Sequence, residues 1–102
     1  MSQRLPFKDP AETKLLRFAF SSELEPGVTV ASVALTVALE AGADAAPAAV
    51  LSGAAVVATA TQDVLQRITG GIHPCDYKLR CLATDSTGLV HLIAATLPVR
   101  NL

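Results

Sequence analysis

The chain has 102 residues, a formal net charge of −1, 51% apolar residues and 4% aromatics, with no tryptophan. That length gives one domain with one modest core, and much of the apolar count is alanine, which adds little burial per residue. The charge leaves no basic field for nucleic acid or anionic lipid, no uncharged apolar run nears the ~20 residues of a membrane span, and the start MSQRLPFKDP lacks a signal peptide's apolar stretch, so a cytoplasmic chain is expected.

Residues 1–11 read as a lead-in or tail ahead of a domain spanning 12–102. Pro6 and Pro10 bracket Phe7-Lys8-Asp9, and proline cannot donate to a central ladder, so this piece is at best an edge. Asp9-Pro10-Ala11-Glu12 also fits a helix start of a single turn. Leu16, Phe18 and Phe20 alternate with Leu15, Arg17 and Ala19, which predicts a strand with both aromatics on one side. Glu25-Pro26-Gly27 carries the proline and glycine of a type II turn.

Next comes a β-branched run of period two. Val33, Leu35, Val37 and Leu39 share one face, and Ala34, Thr36, Ala38 and Glu40 the other. Val28 and Val30 have the opposite parity, which predicts a bulge or crossover near Ala31-Ser32. Residues 38–49 are alanine-rich and favour helix on propensity, but Gly42, Asp44 and Pro47 predict a loop. Short strands are expected at 48–51 and 54–60 around a Ser52-Gly53 turn, and another from Val64 to the paired Gly70 and Gly71.

Residues 70–88 organise the chain. Cys75, Tyr77, Leu79, Cys81 and Ala83 fall on one side of an alternating run, and Asp76, Lys78 and Arg80 on the other, with Leu82 the misfit. Asp85-Ser86-Thr87-Gly88 supplies turn chemistry before a second apolar run, which predicts a hairpin. That last run, residues 89–100, is apolar on both parities, so it is covered on both faces or presents one to another subunit, and Pro98 puts its end on an edge. The total is about seven short strands separated by turns, the pattern of an all-β, two-sheet antiparallel sandwich.

No residue pattern identifies a reaction, cofactor or ligand. Cys75 and Cys81 are six apart on one strand, roughly 20 Å, too far to pair, and read as buried thiols. His73, Cys75, Cys81 and His91 are the only zinc-type donors, but they contain no CxxC knuckle, so a small zinc protein is a minor alternative. A Cys–His nucleophile needs Cys75 or Cys81 beside His91 and an orienting acid such as Asp76 or Asp85, and alternation puts Asp76 on the face opposite Cys75. Gly70-Gly71 reads as a tight strand-to-strand corner rather than a phosphate loop, since no lysine-serine follows. Asp76, Lys78 and Arg80 read as a solvated face.

The segment from Cys75 to Gly88, with Tyr77, Leu79, Ala83-Thr84-Asp85 and Gly88, resembles the penultimate strand and hairpin of immunoglobulin-like and fibronectin-III-like modules. In those, a tyrosine at the strand start caps a corner with its hydroxyl, a role the resemblance implies for Tyr77. The inter-sheet cysteine pair and core tryptophan of antibody domains are missing. A longer resemblance runs over some 80 residues. Phe7-Lys8-Asp9-Pro10, Phe18 and Phe20, Pro26-Gly27-Val28-Thr29-Val30-Ala31-Ser32, Ile68-Thr69-Gly70-Gly71, and Tyr77 to Gly88 are similar in order and spacing to a group of small phage and prophage proteins encoded among head, neck and tail genes. This chain has Val30 for their usual isoleucine and His73-Pro74-Cys75 where a glycine is common.

That resemblance implies an immunoglobulin-like β-sandwich without catalytic activity, located in the virion or host cytoplasm, whose partners are phage structural proteins or further copies of itself. Nucleic acid, membrane and small-molecule ligands are not expected. The structural corner is assigned to Tyr77, Gly70 and Gly71. The partner surface is assigned to the last strand, at Leu89, Val90, His91, Leu92, Ile93 and Leu97. The second reading is a free-standing binding module for a host-surface ligand such as a glycan. Its weakness is the small stock of aromatics on which a sugar ring stacks: Phe7, Phe18, Phe20 and Tyr77.

Overall fold

Period-two alternation over residues 33–40 and 75–83, with turn residues between the apolar runs, predicts extended structure, and the computed structural model, which describes residues 2–102, is all-β. Met1, the first residue of the expected lead-in, lies outside the described residues. Among the described residues there are seven strands: β1 Ser2–Arg4, β2 Thr13–Phe18, β3 Val30–Ala41, β4 Leu51–Val57, β5 Val64–Thr69, β6 Asp76–Asp85 and β7 Val90–Pro98. They form a four-stranded sheet of order β1-β7-β6-β3 and a three-stranded sheet of order β2-β5-β4. All pairings are antiparallel except β1 with β7.

The two sheets bury their facing sides against each other. Phe18, Val64 and Ile68 come from the smaller sheet, and Tyr77, Leu79, Cys81, Ala83, Ile93, Ala95 and Leu97 from the larger. Burial alternates along β6, where Tyr77, Leu79, Cys81 and Ala83 point inward and Arg80 points to solvent. Leu82 lies on the outward row with Arg80, half-buried, and so obeys the alternation. Alanine is spent largely outside: Ala34 and Ala38 face solvent on β3, while Val33, Leu35, Val37 and Leu39 turn to the core.

The expected bulge is present, as a register shift between Val30 and Ser32 on β3. The type II turn is closed by Val28 N–H donating to the Glu25 carbonyl at 3.0 Å, with Gly27 at φ +83°. Four local expectations are corrected. β3 runs on through Ala38 to Ala41 before the loop begins, because antiparallel pairing with Tyr77, Lys78 and Asp76 extends it. Residues 48–50 belong to a 3-10 turn, Pro47–Val50, where the proline sits in the first turn. Residues 51–57 then form one strand rather than two, with the Ser52-Gly53 irregularity absorbed as a register jump between Ser52 and Val56. Phe20 likewise falls just past β2, in the 3-10 turn Phe20–Ser22, and still reaches the core.

The N-terminal residues are built into the larger sheet. β1 lies beside Ala94, Ala95 and Thr96, and Lys8 bridges to Val99. The Lys8 side chain is 2% exposed, and its ammonium donates to the carbonyls of Gly70 at 2.7 Å and Asp9 at 3.0 Å. Desolvation lowers its pKa from the ordinary value, against the pull of Glu12 and Asp9. This cation therefore ties the lead-in to the glycine corner through backbone oxygens. No helix among the described residues is long and apolar enough to cross a membrane.

Candidate functional site

The β6–β7 hairpin carries exposed apolar side chains at and just after its turn. Its turn is organised by the Asp85 carboxylate. One oxygen accepts from Thr87 Oγ1 at 2.6 Å, Thr87 N–H at 2.9 Å and Leu89 N–H at 3.0 Å. The other lies 2.8 Å from His91 Nε2. These bonds, the Thr87 hydroxyl's first and His91's next, hold the Asp85 carboxyl well below the usual carboxylate range. Asp85-Ser86-Thr87-Gly88 is thereby a fixed platform from which Leu89 and Val90 project, each about 60% exposed.

Cross-strand register extends that platform over the outer face of the larger sheet. Thr84 lies opposite Val90, and Leu82 sits between Ala34 and Leu92. Ala34 is exposed, and Leu82 and Leu92 are half-buried. The result is an apolar patch of Ala34, Leu82, Val90 and Leu92, rimmed by Leu89 and followed along the sheet by Arg80 and Lys78. Among the described residues neither cation has a carboxylate within salt-bridge distance.

The six residues assigned from sequence to a partner surface are divided by the pleat. Leu89, Val90 and Leu92 contribute to the outer patch. His91 is turned inward to Asp85, and Ile93 and Leu97 are core residues, 3% and 2% exposed. Two-sided apolarity of the last strand therefore has two causes. One parity fills the core; on the other, Ala94 is covered beside β1 and Pro98 is buried, which leaves Val90 and Leu92 to the outside. The contribution of Leu82 and Ala34 is missed by reading single strands; the misfit of Leu82 in the alternation was the available signal.

At the other end of the sandwich, Tyr77 is fully buried except for its bonding partners. Its hydroxyl donates to Asp44 Oδ2 at 2.7 Å and accepts from Ile72 N–H at 2.9 Å. Burial, then the Asp44 bond, raises its pKa. Gly70 and Gly71 have φ of +62° and +94°, and a Cβ on Gly71 would stand 2.8 Å from Val99 Cγ2. Glycine there is required twice over, by the left-handed backbone and by the close approach of the last strand's continuation.

The chemical candidates are scattered. Cys81 is mid-strand opposite Ile93, and burial pushes its thiol up to about 12, so it stays protonated at neutral pH. Cys75 packs at the far end against Gly42 and Ala43. His73 accepts from Asn101 N–H while His91 is committed to Asp85. Among the described residues no three His, Cys, Asp or Glu side chains gather as a metal site. Of the aromatics, Phe18, Phe20 and Tyr77 are buried; Phe7 is half-exposed with the Arg100 guanidinium 5.6 Å above its ring.

A protein-family model described as podophage GP4 fiber-tail adaptor protein gp77 matches residues 8–98. No curated protein and no solved structure matches the chain.

Proposed function

Since the chain belongs to this fiber-tail adaptor family, and is a phage structural protein, we propose that it is itself an adaptor, joining virion proteins through contact rather than chemistry. The family match over nearly the whole sandwich is the observation that carries this reading. The hairpin patch of Leu82, Leu89, Val90 and Leu92 supplies the first docking surface. Its turn is fixed by Asp85 before any partner arrives, so little ordering cost attends binding.

The sandwich is proposed to be immunoglobulin-like. Pairing of the second, fifth and fourth strands in one sheet, and of the third, sixth and seventh in the other, supports that reading. So does a tyrosine near the start of β6 whose hydroxyl meets backbone five residues upstream.

The test is to purify particles from cells carrying or lacking the gene and to quantify structural proteins by mass spectrometry. The adaptor reading expects this chain in wild-type particles at a fixed ratio to a tail component, and loss of fibre protein from the deletion particles. Fully fibred particles in its absence would overturn the reading.

A further inference from the structure

We propose that the outer face of the three-stranded sheet is a second docking surface, which takes an apolar, carboxylate-bearing surface of another phage structural protein. This rests on the adaptor reading and adds to it a second face and the chemistry of its partner.

Register places the residues. Leu15, Arg67 and Ser52 form one outward row across β2, β5 and β4, and Arg17, Leu65 and Val56 the next. Leu15 and Val56 are about 60% exposed, two large apolar side chains on one face of the sheet. Between them the sheet surface dips into a hollow of ≈ 490 Å³, floored by Gly53 and Ala54.

The hollow is built rather than incidental. The β4–β5 ladder skips between Ser52 and Val56, which strands carbonyls that a regular sheet would pair. Buried Gln66 answers them: its amide nitrogen donates to Arg67 O at 2.8 Å, Gly53 O at 3.2 Å and Ser52 O at 3.3 Å. The depression is thus held open from beneath by a side chain that is 2% exposed.

Charge selects the occupant. Arg17 is paired with Asp63 at 3.1 Å, but Arg67, exposed at the lip, has no carboxylate within salt-bridge distance among the described residues. A partner that fills the hollow with an apolar side chain and sets Asp or Glu against Arg67 gains both terms. The chain's own broad faces supply that acid poorly. The same face on a second copy brings another Arg67, and the opposite face carries Lys78 and Arg80, while Asp76 is engaged by Arg100 and Glu40 by Thr96.

Photo-cross-linking in phage-producing cells tests this, with benzoylphenylalanine placed at position 56 or, separately, at position 90. Position 56 is expected to yield an adduct with a phage structural protein whose attached peptide contains Asp or Glu beside apolar residues. R67E is expected to lower that adduct at least tenfold, R67K to retain most of it, and reversal of the mapped acid to Lys to restore it with R67E. Thermal melts of the purified variants separate loss of contact from loss of fold. Adducts at 90 but none at 56, an adduct with a second copy of this chain, or a yield indifferent to R67E overturns the second surface and leaves the adaptor reading standing. Absence of any phage structural protein from both positions overturns both.

Discussion

Tyr77 and Asp44, 33 residues apart in sequence, meet at 2.7 Å, phenol to carboxylate, and close the loop after β3 onto the start of β6. The same phenol oxygen accepts from Ile72 N–H, so one hydroxyl fixes two loops at once. Tyr77→Phe keeps the ring in the core and removes only this junction, the bond from Ile72 N–H and the bond to the Asp44 carboxylate, at a cost of about 1–3 kcal/mol. The melting midpoint is expected to fall by roughly 4–8 °C for each of those kcal/mol in a domain of this size. Asp44→Ala spares the Ile72 bond but leaves the buried Tyr77 O–H without its acceptor and removes the Ala46 N–H bond, so it is expected to cost a similar amount. Because the folded pKa of Tyr77 is raised above its ordinary 10, the junction's stability is complete below pH 10 and declines as pH rises beyond it. Tyr77→Phe removes that alkaline decline, and melts between pH 8 and 11 read it.

Acid acts on the opposite end. Asp85 is held below its ordinary 3.8 by Thr87 and His91, so the folded state binds its proton less readily than the unfolded chain. The stability it contributes is therefore full above pH ~4 and is lost as pH falls toward its folded value. Asp9, Glu12 and Asp63 are lowered as well, which makes the acid decline a shared one. In Asp63, burial pushes upward and is outweighed by bonds from Ser21 and Arg17. Asp85→Asn is expected to be less stable at pH 7 and to show a shallower slope between pH 2 and 5. Chemical denaturation across that range measures both.

The glycine corner separates backbone strain from steric contact. Gly70 and Gly71 both have positive φ, yet a Cβ meets nothing within 4 Å at Gly70 and stands 2.8 Å from Val99 Cγ2 at Gly71. Gly70→Ala is expected to cost only the left-handed penalty, about 1–2 kcal/mol. Gly71→Ala adds displacement of Val99, a fully buried residue, and is expected to cost clearly more. Urea midpoints of the two variants, compared at equal slope, decide it.

The extent to which this fold could be read from sequence follows from where period two is undisturbed. Along β6 the inward row of Tyr77, Leu79, Cys81 and Ala83 is legible because every second residue is apolar and the intervening Lys78 and Arg80 are charged, with Leu82 the exception. The hairpin follows from Asp85 and Gly88 alone. Residues 38–51 were less legible, because alanine suits helix, strand and loop alike and only pairing across to β6 decides where β3 ends. The outer apolar patch was half legible for a different reason. Strand periodicity predicts which residues share a face, but not which neighbour covers it: Ala94 is buried beside β1, whereas Val90, four residues earlier, has no such neighbour. The hollow on the smaller sheet was not legible at all, since it arises from a register jump that Gln66 repairs from the neighbouring strand.

The pleat of β7 gives the adaptor reading its sharpest contrast. Val90 is 60% exposed and Ile93 3% exposed, three residues apart on one strand and on opposite faces. Val90→Asp places a charge in water at a surface position, where substitutions stay within about 0.5 kcal/mol, and the melt is expected to be nearly unchanged. At a docked interface the same carboxylate is buried without a partner, which costs several kcal/mol and lowers occupancy in particles at least tenfold. Ile93→Asp instead puts the charge into the core and is expected to unfold the chain, losing soluble protein and particle incorporation together. Mass spectrometry of particles assembled with each variant, beside melts of the purified proteins, distinguishes the outcomes. A Val90→Asp chain that melts normally and still enters particles at the wild-type ratio removes the hairpin patch from the adaptor mechanism.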